Sequence, residues 1–270
     1  MTTSRPFHLS MWLALTAIAV AIPYGVVVAE TPAIGARTFN CTVPSDVARL
    51  AYPLARTAKR LAAGDPLKVI AIGSSSTAGA GASSPAASYP SRLQVELAQI
   101  FPRNPITVIN RGVNGEEARE MVARFDANVI SEKPDLVIWQ VGTNAVLRDQ
   151  PLTPAGALIH DGLGRLKASG ADVVLIDPQF APSVLAKLDV DNMVELIEMA
   201  AKKENVDLFR RFAVMRHWRQ VVNMPYEAFL SADELHMNDW SYSCIAKLLA
   251  GAIADAATRS TVTASATPLR

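Results

Sequence analysis

Cysteine is scarce in this chain of 270 residues, which holds only Cys41 and Cys244. Two thiols so far apart lack the paired ligand spacing of a structural zinc site. An excess of one charge is missing too. The 26 lysines and arginines and 25 aspartates and glutamates nearly cancel and are interspersed, without a basic tract or an acidic tail. That removes the electrostatic reason to expect nucleic acid or an anionic lipid surface as a partner. No internal repeat and no linker interrupt the chain, so a second folded domain is not expected. Gly79-Ala80-Gly81 does not continue to a third glycine, and no lysine follows as a phosphate-binding loop requires.

Hydrophobic residues are plentiful, at 50%, enough for one large domain with a substantial core. The first thirty residues differ from the rest. Arg5 and His8 precede an apolar run from Met11 to Ile22 that reaches Val28, and Val27-Val28-Ala29 offers small residues for cleavage. This is the pattern of a secretory signal peptide cut after Ala29. An uncleaved membrane anchor is the alternative, which Pro23 and Gly25 disfavour. Cleavage leaves no stable membrane insertion and places the chain in the periplasm or outside the cell. In that oxidising setting Cys41 and Cys244 read as a disulfide tying the N-terminal segment to the last helix, with two buried free thiols as the alternative. Residues 1–29 are thus assigned to the leader and 30–257 to a single domain whose packed part begins near Phe39. Residues 258–270, rich in Ser, Thr and Ala without apolar periodicity, are expected to form a disordered tail.

Five apolar runs read as strands: about 69–72, 106–110, 136–141, 172–177 and 206–209. They lack polar alternation, as strands buried on both faces of a parallel sheet do. Helical spacing over about 44–63, 89–101, 116–131, 154–169 and 190–204, and again from 238 or 239, separates or follows them. Alternation of this kind predicts right-handed crossovers and a three-layer α/β/α sandwich around a five-stranded parallel sheet.

In such a sheet the ligand crevice lies beyond the carboxyl ends of the strands. Three strand ends carry small or amide-bearing residues: Gly73-Ser74-Ser75, the stretch Asn110 to Gly115, and Gly142-Thr143-Asn144. A serine after the first strand can be a nucleophile if a base and a group that orients the base are supplied. It can equally belong to a turn that starts a helix. Among His160, His217 and His236, only His236 has a carboxylate three residues earlier, in Asp233-Glu234-Leu235-His236. That spacing lets Asp233 hold one imidazole nitrogen while the other faces the serine, although a loop histidine in solvent reads the same way. Backbone N–H groups of Ser75 and Gly115 and the side-chain amide of Asn144 would supply three donors to a developing oxyanion. A helix-entry glycine and a helix N-cap are the plainer readings of Gly115 and Asn144. The G-x-S-x-G elbow of α/β-hydrolases is absent, because Thr77 stands where its last glycine would be.

Taken in order, Gly73-Ser74-Ser75, Gly115 within Asn110 to Gly115, Gly142-Thr143-Asn144, and Asp233-Glu234-Leu235-His236 resemble the four blocks of the SGNH (GDSL-type) hydrolases, over about residues 69–250. The resemblance implies a flavodoxin-like fold and an ester hydrolase without metal or organic cofactor. It implies Ser75 as nucleophile, His236 as base, Asp233 as its orienter, and Ser75, Gly115 and Asn144 as oxyanion donors. One departure is Ser74, where the family usually has aspartate. With export, the expected substrate is a small-molecule or glycan ester, with short acyl groups on carbohydrate favoured because no long apolar lid segment lies between the motifs. A lipid esterase or lysophospholipase, an O-acyltransferase using the same residues, and a non-catalytic glycan-binding module are the alternatives. Residues 178–183 and Arg216-His217-Trp218 are candidate walls of the acyl or sugar pocket, Trp218 being equally readable as core.

Overall fold

A computed structural model of the chain describes residues 1–2 and 39–265. The expected leader with its cleavage site, and the last residues of the tail, lie outside the described residues. Five strands form one sheet: β1 Leu67–Gly73, β2 Ile106–Gly112, β3 Leu136–Gln140, β4 Asp172–Ile176 and β5 Asp207–Phe209. All pair in parallel, in the order β2-β1-β3-β4-β5. This is the doubly wound, flavodoxin-like order, whose direction reverses between β1 and β3 and opens a crevice at their carboxyl ends.

The apolar runs decide which strands are central. β3 is buried at every position and β1 at all but Lys68, whereas β2 is an edge strand and only partly covered. Helices Ala55–Ala63, Tyr89–Ile100 and Asp239–Ser265 pack together over one face. Helices Ala118–Ala123, Leu152–Ala168 and Val190–Glu204 cover the other. Trp139 on β3 is fully buried and meets the Phe125 ring edge-on, with centroids 5.0 Å apart. Burying side chains of this size contributes about 1.5–3 kcal/mol each.

Several helices depart from the sequence reading. The helix expected over 44–63 is two, Ser45–Ala48 and Ala55–Ala63, because Pro53 lacks an N–H and biases Tyr52 away from helical dihedrals. Tyr52 N–H instead donates to the Asp207 carboxylate at 2.8 Å. The helix expected over 116–131 is shorter pieces, beginning at Ala118 behind a capping box of Glu117 and Glu120. Arg211–Gln220 forms a helix where none was expected. The final helix runs through residue 257, where the domain was expected to end, and on to Ser265; Thr258 Oγ1 donates back to the Ala254 carbonyl at 2.9 Å. Cys41 and Cys244 are joined, with Cα atoms 5.2 Å apart.

One consequence of this packing concerns Asp177, which follows β4 and is buried. Its Oδ1 accepts the Phe212 N–H at 2.8 Å. Burial pushes its carboxyl up to about 7, against the pull of that hydrogen bond and of Arg211. A raised carboxyl favours the folded state at low pH, and the contribution disappears as pH rises from the ordinary 3.8 through about 7. Asp177→Asn keeps the acceptor and cannot ionise. Thermal melts at about pH 5 and about pH 8 should therefore show a smaller loss of stability for the variant than for the wild type.

Candidate active site

Gly73 ends β1, and Ser75 opens a one-turn helix, Ser75–Ala78. The turn closes locally: Thr77 and Ala78 N–H donate to the Ser74 carbonyl at 3.0 and 2.9 Å, and Gly79 and Ala80 N–H to that of Ser75 at 2.9 Å. Ser75 is thereby held, half-buried, at the carboxyl edge of the sheet next to the switch in strand order.

The partner comes from the loop before the final helix. Asp233 caps its own turn, its Oδ1 accepting N–H groups of Leu235 at 3.1 Å and His236 at 2.9 Å and the Ser231 hydroxyl at 2.7 Å. Glu234 takes a left-handed φ of 56°, which bends the chain so that the imidazole returns over the carboxylate. His236 Nδ1 lies 2.5 Å from Asp233 Oδ2, and His236 Nε2 lies 2.7 Å from Ser75 Oγ. Three residues expected to act together thus form one hydrogen-bonded chain. Partial burial pushes the Asp233 carboxyl up, but hydrogen bonds from the His236 ring, Ser231 and the two backbone N–H groups outweigh it and hold it well below the ordinary carboxylate range.

The loop after Ser75 is strapped to the start of the final helix, just beyond His236. Tyr242 Oη donates to the Ala80 carbonyl at 2.6 Å, and Ser83 donates to the Asp239 carboxylate through its N–H at 2.7 Å and its hydroxyl at 2.5 Å. Gly81, with φ of 86°, is required between them: a Cβ there would stand 2.5 Å from the Met237 carbonyl and 2.9 Å from His236 Cβ.

Gly115 and Asn144 reach the same edge from β2 and β3. Val113 N–H donates to the Gly73 carbonyl at 3.0 Å, fixing the turn that carries Gly115 beside the end of β1. Asn144 Nδ2 donates to the Glu116 carbonyl at 2.8 Å, tying the amide to that turn. Asn144 is the second residue of the helix Thr143–Leu147 and not its N-cap, a position Gly142 takes. Among the described residues, no group of three or more His, Cys, Asp or Glu side chains is arranged to hold a metal ion.

Sequence reasoning missed the support beneath the His236 loop. Gln179 Oε1 accepts the Thr143 hydroxyl and an Arg211 N–H, each at 3.0 Å, and its Nε2 donates to the Leu235 carbonyl at 3.3 Å. Arg211 is buried, and also donates to the Asp177 carbonyl at 2.7 and 3.0 Å. Gln179 falls within the segment 178–183 expected to wall the pocket, but nothing in the sequence marks it as a brace for the His236 loop, and Arg211, beside Arg210, carries no motif. Residues 178–181 are buried and Ser183 N–H donates to the Glu234 carbonyl at 3.4 Å, so this segment braces the His236 loop instead of standing open. Trp218 belongs to the core, edge-on to Phe229 and Trp240. Arg216 lines a depression with Asp46, Asp191 and Glu198, apart from the Ser75 group.

Comparison with known proteins settles the relationship. The model of the non-GDSL lipase-like family matches residues 40–259. The chain belongs to this family. Its motifs resemble the GDSL-type pattern with Ser74 in place of aspartate, and the family itself carries the non-GDSL description. An acetylxylan esterase of Geobacillus stearothermophilus is 38% identical over 56 residues, which are 21% of this chain and 26% of that protein. An arylesterase of Vibrio mimicus is 26% identical over 145 residues, 54% of this chain and 68% of the relative. The fold is shared with a two-domain esterase active on acetylated mannans: TM-score 0.68, 20% identity, 81% of this chain and 58% of that one. The chain thus spans about a quarter of the acetylxylan esterase that it matches and little more than half of the two-domain esterase.

Proposed function

We propose that this chain is an exported serine ester hydrolase that works as the SGNH (GDSL-type) enzymes do, on short acyl groups carried by carbohydrate. The observation that carries the proposal is the chain Asp233 Oδ2, His236 Nδ1, His236 Nε2, Ser75 Oγ, with steps of 2.5 and 2.7 Å at the carboxyl edge of the sheet. Ser75 Oγ attacks the ester carbonyl while His236 Nε2 takes its proton, and Asp233 holds the proton on Nδ1. The carbonyl oxygen, now an oxyanion, is met by the N–H groups of Ser75 and Gly115 and by the second N–H of the Asn144 amide. Collapse of the tetrahedral species breaks the bond to the alcohol oxygen, which leaves with the proton from His236. Water, deprotonated by His236, then attacks the acyl-Ser75 ester and releases the acid.

The acyl and alcohol preferences are supported by the relatives' descriptions as acetylxylan esterase and as an esterase active on acetylated mannans. Kinetics on p-nitrophenyl esters from acetate to palmitate, with acetylated xylan and mannan oligosaccharides alongside, test the reading. Acetyl should be the best acyl group and acetylated oligosaccharides should be cleaved; a preference for palmitate would overturn it. Asn144→Ala should lower kcat by about 10²- to 10³-fold with little change in KM, since its donor is aimed at charge present only in the transition state. A loss confined to KM would remove Asn144 from the oxyanion site.

A further inference from the structure

Gln140, the last residue of β3, is fully buried behind four apolar residues of the same strand. Its side chain reaches across to the end of β1, where Oε1 accepts the Ser74 N–H at 2.9 Å, the Ser74 hydroxyl at 3.2 Å and the Thr77 hydroxyl at 3.3 Å. Thr77 Oγ1 also lies 3.3 Å from the buried Tyr89 hydroxyl. One oxygen therefore holds the residue before Ser75 and the residue two after it. The amide orientation follows from chemistry: a backbone N–H only donates, so the oxygen must face Ser74. Gln140 Nε2 is left without a hydrogen-bond partner among the described residues. An unpaired buried donor is costly, and the arrangement stands because the oxygen is needed where it is. Gly73 completes the fit, since a Cβ there would stand 2.8 Å from Oε1 and 2.2 Å from Thr77 Oγ1.

We infer that Gln140 is a positioning residue for the nucleophile, resting on the reading of Ser75 as that nucleophile. It aims Ser75 Oγ at His236 Nε2 and the Ser75 N–H at the oxyanion, and it does so in a chain where Ser74 replaces the aspartate usual at that position. Serine suits this arrangement because its hydroxyl donates to Oε1, which an ionised aspartate cannot do.

The experiment measures fluorophosphonate labelling rates, kcat and KM on p-nitrophenyl acetate, and thermal melts of the full chain. Gln140→Met keeps the side-chain length and removes the acceptor. It should slow labelling and lower kcat by about 10²-fold, the effect of misplacing a reacting group, while KM stays close to wild type. Gln140→Glu presents an oxygen to Ser74 N–H again and should recover most of the labelling rate. A purely structural role would lower the melting temperature and leave the rate of the folded enzyme unchanged, which would overturn the inference. If Gln140→Met does not fold, Ser74→Ala and Thr77→Val decide, each deleting one donor and keeping Gln140. Several-fold slower labelling in either supports the assignment, and wild-type rates in both overturn it. Failure of the underlying reading looks different: Ser75→Ala would then turn over substrate as fast as wild type.

Discussion

Ser75→Ala should abolish all but a trace of ester hydrolysis, lowering kcat by on the order of 10⁴- to 10⁶-fold. The substitution deletes the atom that lies 2.7 Å from His236 Nε2. Ser74 and Ser76 are both buried, and the Ser74 hydroxyl already donates to Gln140, so neither neighbour can stand in. The fold should be indifferent. Ser75 caps its turn through its backbone carbonyl, which alanine retains, and alanine is a good helix former. Thermal melts of the variant should therefore overlay those of wild type while turnover of p-nitrophenyl acetate and fluorophosphonate labelling disappear. His236→Ala should cost about as much, and the double variant little more, because the two side chains act as one unit. A purified Ser75→Ala protein that hydrolyses at the wild-type rate would end the assignment.

The difference between what the sequence announces and what it conceals follows from the range of each interaction. β1 and β3 were legible because their residues are apolar without alternation, a pattern that only a doubly covered strand can use. Asp233 and His236 were legible because their contact is local: three residues of spacing bring them together in one turn. Ser75, Gly115 and Asn144 were legible because each follows a strand, and parallel strands end on one edge. The break at Pro53 follows a local rule that the apolar spacing of residues 44–63 obscured. Gln140 and Arg211 were not legible. A glutamine closing an apolar strand and a second arginine opening a helix gain their meaning only from Ser74, Gln179 and Asp177, which lie 32 to 66 positions away in the sequence. The helix Arg211–Gln220 was hidden for the same reason, since its inward face includes that arginine.

Asp233→Asn should lower kcat by about 10⁴-fold near neutral pH while leaving the loop in place. The carboxylate does two separable jobs. Oδ1 accepts from Ser231, Leu235 and His236, which an asparagine oxygen can continue to do. Oδ2 accepts from His236 Nδ1, and there asparagine presents an N–H. The imidazole must then carry its proton on Nε2, pointing it at Ser75 Oγ, and the ring can no longer receive the serine proton. The hydrogen bonds that hold Asp233 below the ordinary carboxylate range keep it charged at neutral pH, and so able to accept from His236 Nδ1. The same depression contributes stability above the ordinary carboxylate range that is lost as pH falls below it. Asp233 is half-exposed, so this contribution is modest. The melting temperatures of Asp233→Asn and wild type should therefore differ only slightly at neutral pH and converge on acidification, whereas turnover differs by orders of magnitude at neutral pH. Near wild-type turnover by Asp233→Asn, with Ser75→Ala inactive, would reduce Asp233 to a loop-capping residue and leave His236 to act without an orienting carboxylate.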